Sequence, residues 1–156
     1  MSDLPYPPSD LPSFLRCCAG EWMSLRSRFD LSSAGGDDDW HSSERGDLVV
    51  EALDGQGDGH LGSLVAGPKE AGQPRSLHFH SDGRFSSEAE EGRWVLWPDG
   101  SLELVIDQGE AELRERIWFT KVNLRLRSTV LQHRDGSPGS ASFCSEIRRV
   151  SRPAEG

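Results

Sequence analysis

The chain has 156 residues, 35% of them hydrophobic, with 17 glycines and 9 prolines. That size and composition suit one turn-rich globular domain and exclude a helical bundle. A formal net charge of −9 argues against a nucleic-acid partner, which selects basic surfaces. The charge is uneven: residues 1–110 hold eight Lys/Arg against 21 Asp/Glu, whereas residues 111–149 hold eight against four. A basic C-terminal third on an acidic chain points to a local anion site.

Cys17, Cys18 and Cys144 are odd in number and have neither disulfide nor zinc spacing, which favours a reducing compartment. No apolar run approaches the ~18 residues that a membrane span needs, and residues 1–25 lack the pattern of a secretory or transit segment. A soluble, cytoplasmic protein is therefore expected, with one domain over 1–156.

In chain order, residues 1–9 are Pro-rich and predict an extended arm. Residues 10–19 predict a short helix: Asp10 is a suitable N-cap, and Leu11, Phe14, Leu15 and Cys18 fall on one face. From Trp22 the period becomes two, with Met23, Leu25, Phe29 and Leu31 alternating with Trp22, Arg26, Arg28 and Asp30. A polar, acidic loop follows over 32–39. Further strands are expected over Trp40–Leu53, Leu61–Ala66, Arg75–His80, Arg84–Glu90, Arg93–Trp97, Ser101–Asp107, Glu112–Phe119, Asn123–Gln132 and Ser140–Val150. Turns are read at Asp54–His60, Trp97–Ser101 and Arg134–Gly139. About ten short strands with short connections predict an all-β chain. Such a meander closes into an up-and-down antiparallel barrel over 20–150, because closure removes exposed edges. Barrels of this size hold one small ligand. Residues 151–156 read as a tail.

The chemistry-bearing candidates lie on the last strands. An even pairing sum between Glu115–Phe119 and Asn123–Arg127 puts Glu115, Arg125 and Arg127 on one face, whereas an odd sum pairs Trp118 with Arg125. Two guanidiniums beside a carboxylate can hold two carboxylates and one proton donor; the alternative is a solvated face with weak ion pairs. Arg26 and Arg28 share a face with Trp22, and Cys144, Glu146 and Arg148 share a face opposite Phe143 and Ile147. His78 and His80 point the same way but lack a third metal ligand. Asp37–Asp39 lack the glycine and terminal glutamate of a calcium loop. The cysteines have no activating histidine nearby. No metal site, phosphate-binding loop or nucleophile elbow is expected.

These segments carry a resemblance. Glu115-Arg116-Ile117-Trp118-Phe119, Asn123-Leu124-Arg125-Leu126-Arg127 and Ser142-Phe143-Cys144-Ser145-Glu146-Ile147-Arg148 are together similar to the S-type phycobiliprotein lyases, the CpcS/CpeS group. Gly20-Glu21-Trp22-Met23-Ser24-Leu25-Arg26-Ser27 resembles that family's opening motif, with Leu25 where glutamine is common. The resemblance implies a lipocalin-like, fatty-acid-binding-protein-like barrel with an N-terminal helix. It implies a lyase that takes a bilin, phycocyanobilin or phycoerythrobilin, as substrate with no separate cofactor. The bilin is attached through a thioether to a cysteine of a phycobiliprotein α or β subunit. Matched residue by residue, it assigns Glu115 and Glu146 to catalysis and Arg26, Arg125, Arg127 and Thr129 to ligand binding. It leaves open a homodimer or a heterodimer with a sister lyase in a cyanobacterial cytoplasm. A non-catalytic bilin or lipid carrier and a phycobiliprotein chaperone are the rival readings.

Overall fold

The computed structural model describes residues 8–31, 41–69, 72–88 and 90–150. Residues 1–7 of the expected arm, the acidic loop with Asp37–Asp39 and the 151–156 tail lie outside them. Among the described residues, no helix is long and apolar enough to cross a membrane.

Helix α1 spans Leu11–Cys18. The Asp10 carboxylate accepts the Ser13 backbone N–H at 2.8 Å, satisfying a donor that the first helical turn leaves open, and Pro12 lies in that turn. Leu11, Phe14, Leu15 and Cys18 form its buried face. The chain then passes through Gly20 at φ +140°, where a Cβ would lie 2.8 Å from the Arg148 guanidinium. Glycine is favoured there by the conformation, and the space beside it is taken by the Arg148 side chain.

Ten strands follow: β1 (Gly20–Asp30), β2 (His41–Gly57), β3 (His60–Pro68), β4 (Arg75–His80), β5 (Arg84–Ser86), β6 (Glu91–Leu96), β7 (Leu102–Asp107), β8 (Ala111–Lys121), β9 (Leu124–His133) and β10 (Ser140–Arg148). Each pairs antiparallel with its sequence neighbours, and β1 pairs with β10 to close the barrel. The expected up-and-down barrel with one short helix is what forms.

Two boundaries differ from the sequence reading by more than two residues. Asp54–His60 is mostly strand: β2 runs on to Gly57, which pairs with His60 around a two-residue connection at Asp58 and Gly59. An irregularity between Asp54 and Gly57 absorbs the extra residues. Conversely, the strand expected over Arg84–Glu90 stops at Ser86. The Ser87 N–H donates to the Glu90 carbonyl at 2.8 Å, which turns the chain at once.

The interior has two unlike halves. Leu64, Phe79, Phe85, Leu102, Leu104 and Ile106 point inward from β3–β7 and pack with α1, each such side chain contributing roughly 1.5–3 kcal/mol by burial. At the α1 end, Phe14 meets Phe119 edge-on at 5.3 Å, and Trp22 lies 6.3 Å from Phe119. Helix and rings together floor the barrel at this end. The wall made by β1, β8, β9 and β10 carries charge instead.

A cation-rich wall as the candidate functional site

The register aligns this wall row by row. Glu146 on β10 is opposite Arg125 on β9 and Ser24 on β1, and Cys144 is opposite Arg127 and Arg26. Thr129 is opposite both Glu115 and Ser142. The β8–β9 pairing sum is even, so Glu115, Arg125, Arg127 and Thr129 share the inward face while Trp118 meets Leu126 outside. All six residues expected at the site, Arg26, Glu115, Arg125, Arg127, Thr129 and Glu146, therefore lie on one wall.

Glu146 is its centre, with no solvent exposure. Its Oε1 accepts from Arg125 Nε at 2.8 Å and lies 3.1 Å from Arg127 Nε. Arg127 reaches on to Glu115 at 3.3 Å, linking both carboxylates through one guanidinium. Burial alone would lower the Arg127 pKa, but Glu115 and Glu146 outweigh it and hold the group firmly protonated. Among the described residues, two buried side-chain polar atoms lack a hydrogen-bond partner: Glu146 Oε2, and Arg127 Nε, which is ion-paired with Glu146 Oε1 without hydrogen-bond geometry. A buried polar atom left unpaired costs free energy that a ligand or water removes.

Arg125 is committed to this framework: its guanidinium sits 5.0 Å from the Trp22 ring centroid and its side chain is 4% exposed. Arg26 joins from β1 through Cys144, whose Sγ accepts from Arg26 Nε at 3.1 Å. Arg26, Arg28, Thr129 and Ser142 border a cavity of about 500 Å³ at the barrel end opposite the helix, within the usual size range for small-molecule sites. Thr129 thus belongs to the mouth, and Glu146 and Arg125 lie deeper. A smaller cavity of about 250 Å³ beside Asp99, Arg116 and Trp118 contains none of the six.

Three residues given no function in the sequence reading complete the site. Trp22, fully buried, donates its indole N–H to the Cys18 carbonyl at 2.9 Å. Arg148 lies 4.3 Å from the Trp22 ring centroid and donates to the carbonyls of Cys17 and Ala19 at the end of α1. Burial holds the Arg148 pKa below its ordinary value. Cys144 shares the inward period-two face with Glu146 and Arg148, and that spacing was its only signal. Cys18 is buried, and loss of solvent raises its thiol pKa, so it stays neutral. His78 Nδ1 is engaged by Ser63 Oγ at 2.8 Å, and the same hydroxyl meets His60 Nε2 at 2.9 Å. These imidazoles serve a side-chain network on β3 and β4.

A closed ten-stranded barrel, floored at one end and lined on one wall by paired arginines and glutamates, defines a lipocalin-like protein with a polar, cation-rich interior. Comparison with known proteins makes the class specific. A family model described as CpeS-like protein matches residues 60–149. The chain is 49% identical over 149 residues to chromophore lyase CpcS/CpeS 1 of Paulinella chromatophora, covering 94% of this chain and 92% of that one. It is 30% identical over 185 aligned positions to chromophore lyase CpcS/CpeS 1 of Synechocystis sp., covering 94% of each. The S-type phycobiliprotein lyase CPES from Guillardia theta shares the fold, with a TM-score of 0.68, 19% identity and coverage of 94% and 96%. The chain belongs to the CpeS-like family of chromophore lyases.

Proposed function

We propose that this chain binds a linear tetrapyrrole bilin in the barrel and attaches it through a thioether to a cysteine of a phycobiliprotein subunit. One observation carries the reading. The inner wall, mouth and floor hold five arginines, Arg26, Arg28, Arg125, Arg127 and Arg148, against three glutamates, Glu115, Glu146 and Glu44, the last 3.2 Å from Arg28, inside a chain of net charge −9. An interior with two surplus positive charges is matched by a ligand with two carboxylates, and a bilin carries two propionates. Its pyrrole N–H groups suit Glu146 Oε2, which has no hydrogen-bond partner, and a propionate suits Arg127, whose Nε is ion-paired with Glu146 Oε1 but makes no hydrogen bond.

The roles then divide by depth. Arg26 and Arg127, with Arg28 at the mouth, anchor propionates. Arg125, held by Glu146 and Trp22, acts as a positioning group that fixes the Glu146 carboxylate, in place of the propionate anchor that the sequence suggests. Glu115 is a proton donor toward the pyrrole nitrogens, which makes the ring A ethylidene more electrophilic. In the bond-forming step the acceptor's sulfur bonds to the exocyclic ethylidene carbon, and the proton balancing the addition ends on the adjacent ring carbon. The nucleophile belongs to the acceptor, in keeping with the buried Cys17, Cys18 and Cys144. Phycocyanobilin or phycoerythrobilin is the substrate, an α or β phycobiliprotein subunit the acceptor and the cytoplasm the place.

Reconstitution with bilin and acceptor, read by absorbance and by zinc fluorescence of the acceptor band on a denaturing gel, tests this. Glu115→Gln should keep most bilin affinity yet slow thioether formation by about 10²-fold or more, the scale of a positioned acid–base group. Bilin binding without any covalent adduct on the acceptor would make the protein a carrier and refute the reading.

A further inference from the structure

On the inner face of β10, Glu146, Cys144 and Ser142 stand two residues apart, and each sits between a residue of β1 and one of β9. From the floor outward the rows read Ser24–Glu146–Arg125, Arg26–Cys144–Arg127 and Arg28–Ser142–Thr129. The middle row is distinguished by a sulfur between two guanidiniums. Cys144 Sγ accepts from Arg26 Nε at 3.1 Å and from a terminal nitrogen of Arg127 at 3.8 Å, and the residue is 3% exposed. Among the described residues no carboxylate pairs with Arg26. Glu44, opposite it on β2, pairs with Arg28 at 3.2 Å instead.

We propose that Cys144 is a positioning residue that makes the site selective for a dicarboxylate guest, a proposal that rests on the bilin reading above. A thiol sulfur is a weak, neutral acceptor, whereas a carboxylate is a strong and charged one. In the deep row Glu146 takes Arg125 at 2.8 Å and answers its charge within the wall. In the middle row the sulfur orients both guanidiniums and neutralises neither. Arg26 keeps its full charge. Arg127, drawn to Glu115 and Glu146 on its other sides, keeps an Nε that makes no hydrogen bond. A guanidinium presents five N–H donors in a rigid fork, so one bond to sulfur fixes its plane and leaves donors for a carboxylate.

The same atom sets the placement of the anchors. Because one sulfur accepts from β1 and from β9, the two guanidiniums are held as neighbours, which suits the two propionates on the central rings of a bilin. An arginine that is free in the empty site loses rotamer freedom when a ligand orders it, at a cost of about 2- to 10-fold in affinity per side chain. The sulfur imposes that order before the ligand arrives. Replacing the acceptor separates orientation from charge. Cys144→Ser keeps a neutral acceptor, and Cys144→Ala removes it. Cys144→Asp keeps the orientation but adds a counter-ion, which turns the middle row into a copy of the deep one.

Absorbance titration of the full chain with phycocyanobilin and with its dimethyl ester tests the assignment, since the ester keeps the rings and removes both carboxylates. The wild type should bind the diacid at least about tenfold more tightly than the ester, the scale of one charge-assisted hydrogen bond. Cys144→Ala should weaken diacid binding about tenfold and ester binding by less than about twofold. Cys144→Ser should stay within about threefold of the wild type for both ligands, and Cys144→Asp should lose more diacid affinity than Cys144→Ala does. Far-UV circular dichroism checks the fold, and Cys144→Val replaces Cys144→Ala if the latter does not fold. A folded Cys144→Ala that binds the diacid like the wild type, that loses both ligands equally, or whose loss serine does not rescue would overturn the inference and leave the bilin reading standing. A wild type that binds ester and diacid equally would overturn the propionate reading itself, and the inference with it.

Discussion

The pairing of Arg125 with Glu146 makes a sharp prediction about stability. Glu146 is fully buried and the Arg125 side chain nearly so. Glu146→Leu strands the Arg125 guanidinium in the barrel, and Arg125→Met leaves the Glu146 carboxylate only the Arg127 guanidinium at 3.1 Å, which Glu115 shares. Each single change should cost about 3–5 kcal/mol, a large part of the roughly 5–15 kcal/mol that holds a domain folded. The double variant removes both charges, and Arg127 keeps Glu115 as its counter-ion at 3.3 Å. What remains is the loss of the Arg125 guanidinium over Trp22, about 2 kcal/mol for a desolvated cation–π contact. The double variant should therefore lie near 2 kcal/mol, a coupling of about 4 kcal/mol or more relative to additivity. With an m-value near 2 kcal/mol/M, that coupling displaces the urea midpoint by roughly 2 M. Equilibrium urea unfolding, followed by tryptophan fluorescence and far-UV circular dichroism, measures all four corners of the cycle. Costs that add to within ~0.5 kcal/mol would refute a coupled buried pair. The same double variant should fold yet bind no bilin, separating the pair's structural role from its service to the ligand.

Two further predictions concern the scaffold. Gly92→Ala should lower the melting temperature by roughly 3–10 °C, because a Cβ there would lie 2.5 Å from the Val105 carbonyl and 2.6 Å from the Phe85 ring; an unchanged melting temperature in calorimetry would show that β6 can shift to admit it. The carboxyls of Asp10, Asp99, Asp107 and Asp135 are held below the ordinary 3.8 by the backbone N–H of Ser13, the Ser101 hydroxyl, the backbone N–H of Gly109 and the Ser137 hydroxyl. A depressed folded-state pKa stabilises above the unfolded value and is lost as pH falls through the folded one. The urea midpoint should hold from pH 7 to about 5 and fall below about 4; a midpoint that is level down to pH 2 would contradict it.

Alternation and turn chemistry carried the strand count and the closed meander, because a half-buried strand must repeat every second residue. They could not orient the wall. On β1 both faces contain large apolar residues, Trp22 within and Met23 and Leu25 outside, so hydropathy alone does not say which faces in. The answer comes from partners distant in sequence: Arg26 meets Cys144, 118 residues away, and through it the row of Arg127, only because β1 closes on β10. The partner of Arg125 was not legible for a related reason. A strand pattern shows that two arginines share a face, but whether a guanidinium is free depends on a carboxylate 21 residues away on the neighbouring strand. Arg148 was invisible as a floor residue because its acceptors are scattered along the chain: the carbonyls of Cys17 and Ala19 at the end of α1, the Val122 carbonyl and the Asn123 side chain at the β8–β9 turn.

That floor sets an order of events. Among the described residues, α1, Trp22 and Arg148 fill one end of the barrel, and a linear guest that uses the other end leaves it in the reverse of the order in which it entered. The pyrrole ring that goes in last stays at the rim, within reach of an incoming thiol, while the first is held out of reach against the floor. Which end of the pigment can react is then decided by the direction of loading, before any bond is made. A tube open at both ends would impose no such polarity and would present either terminal ring to the acceptor.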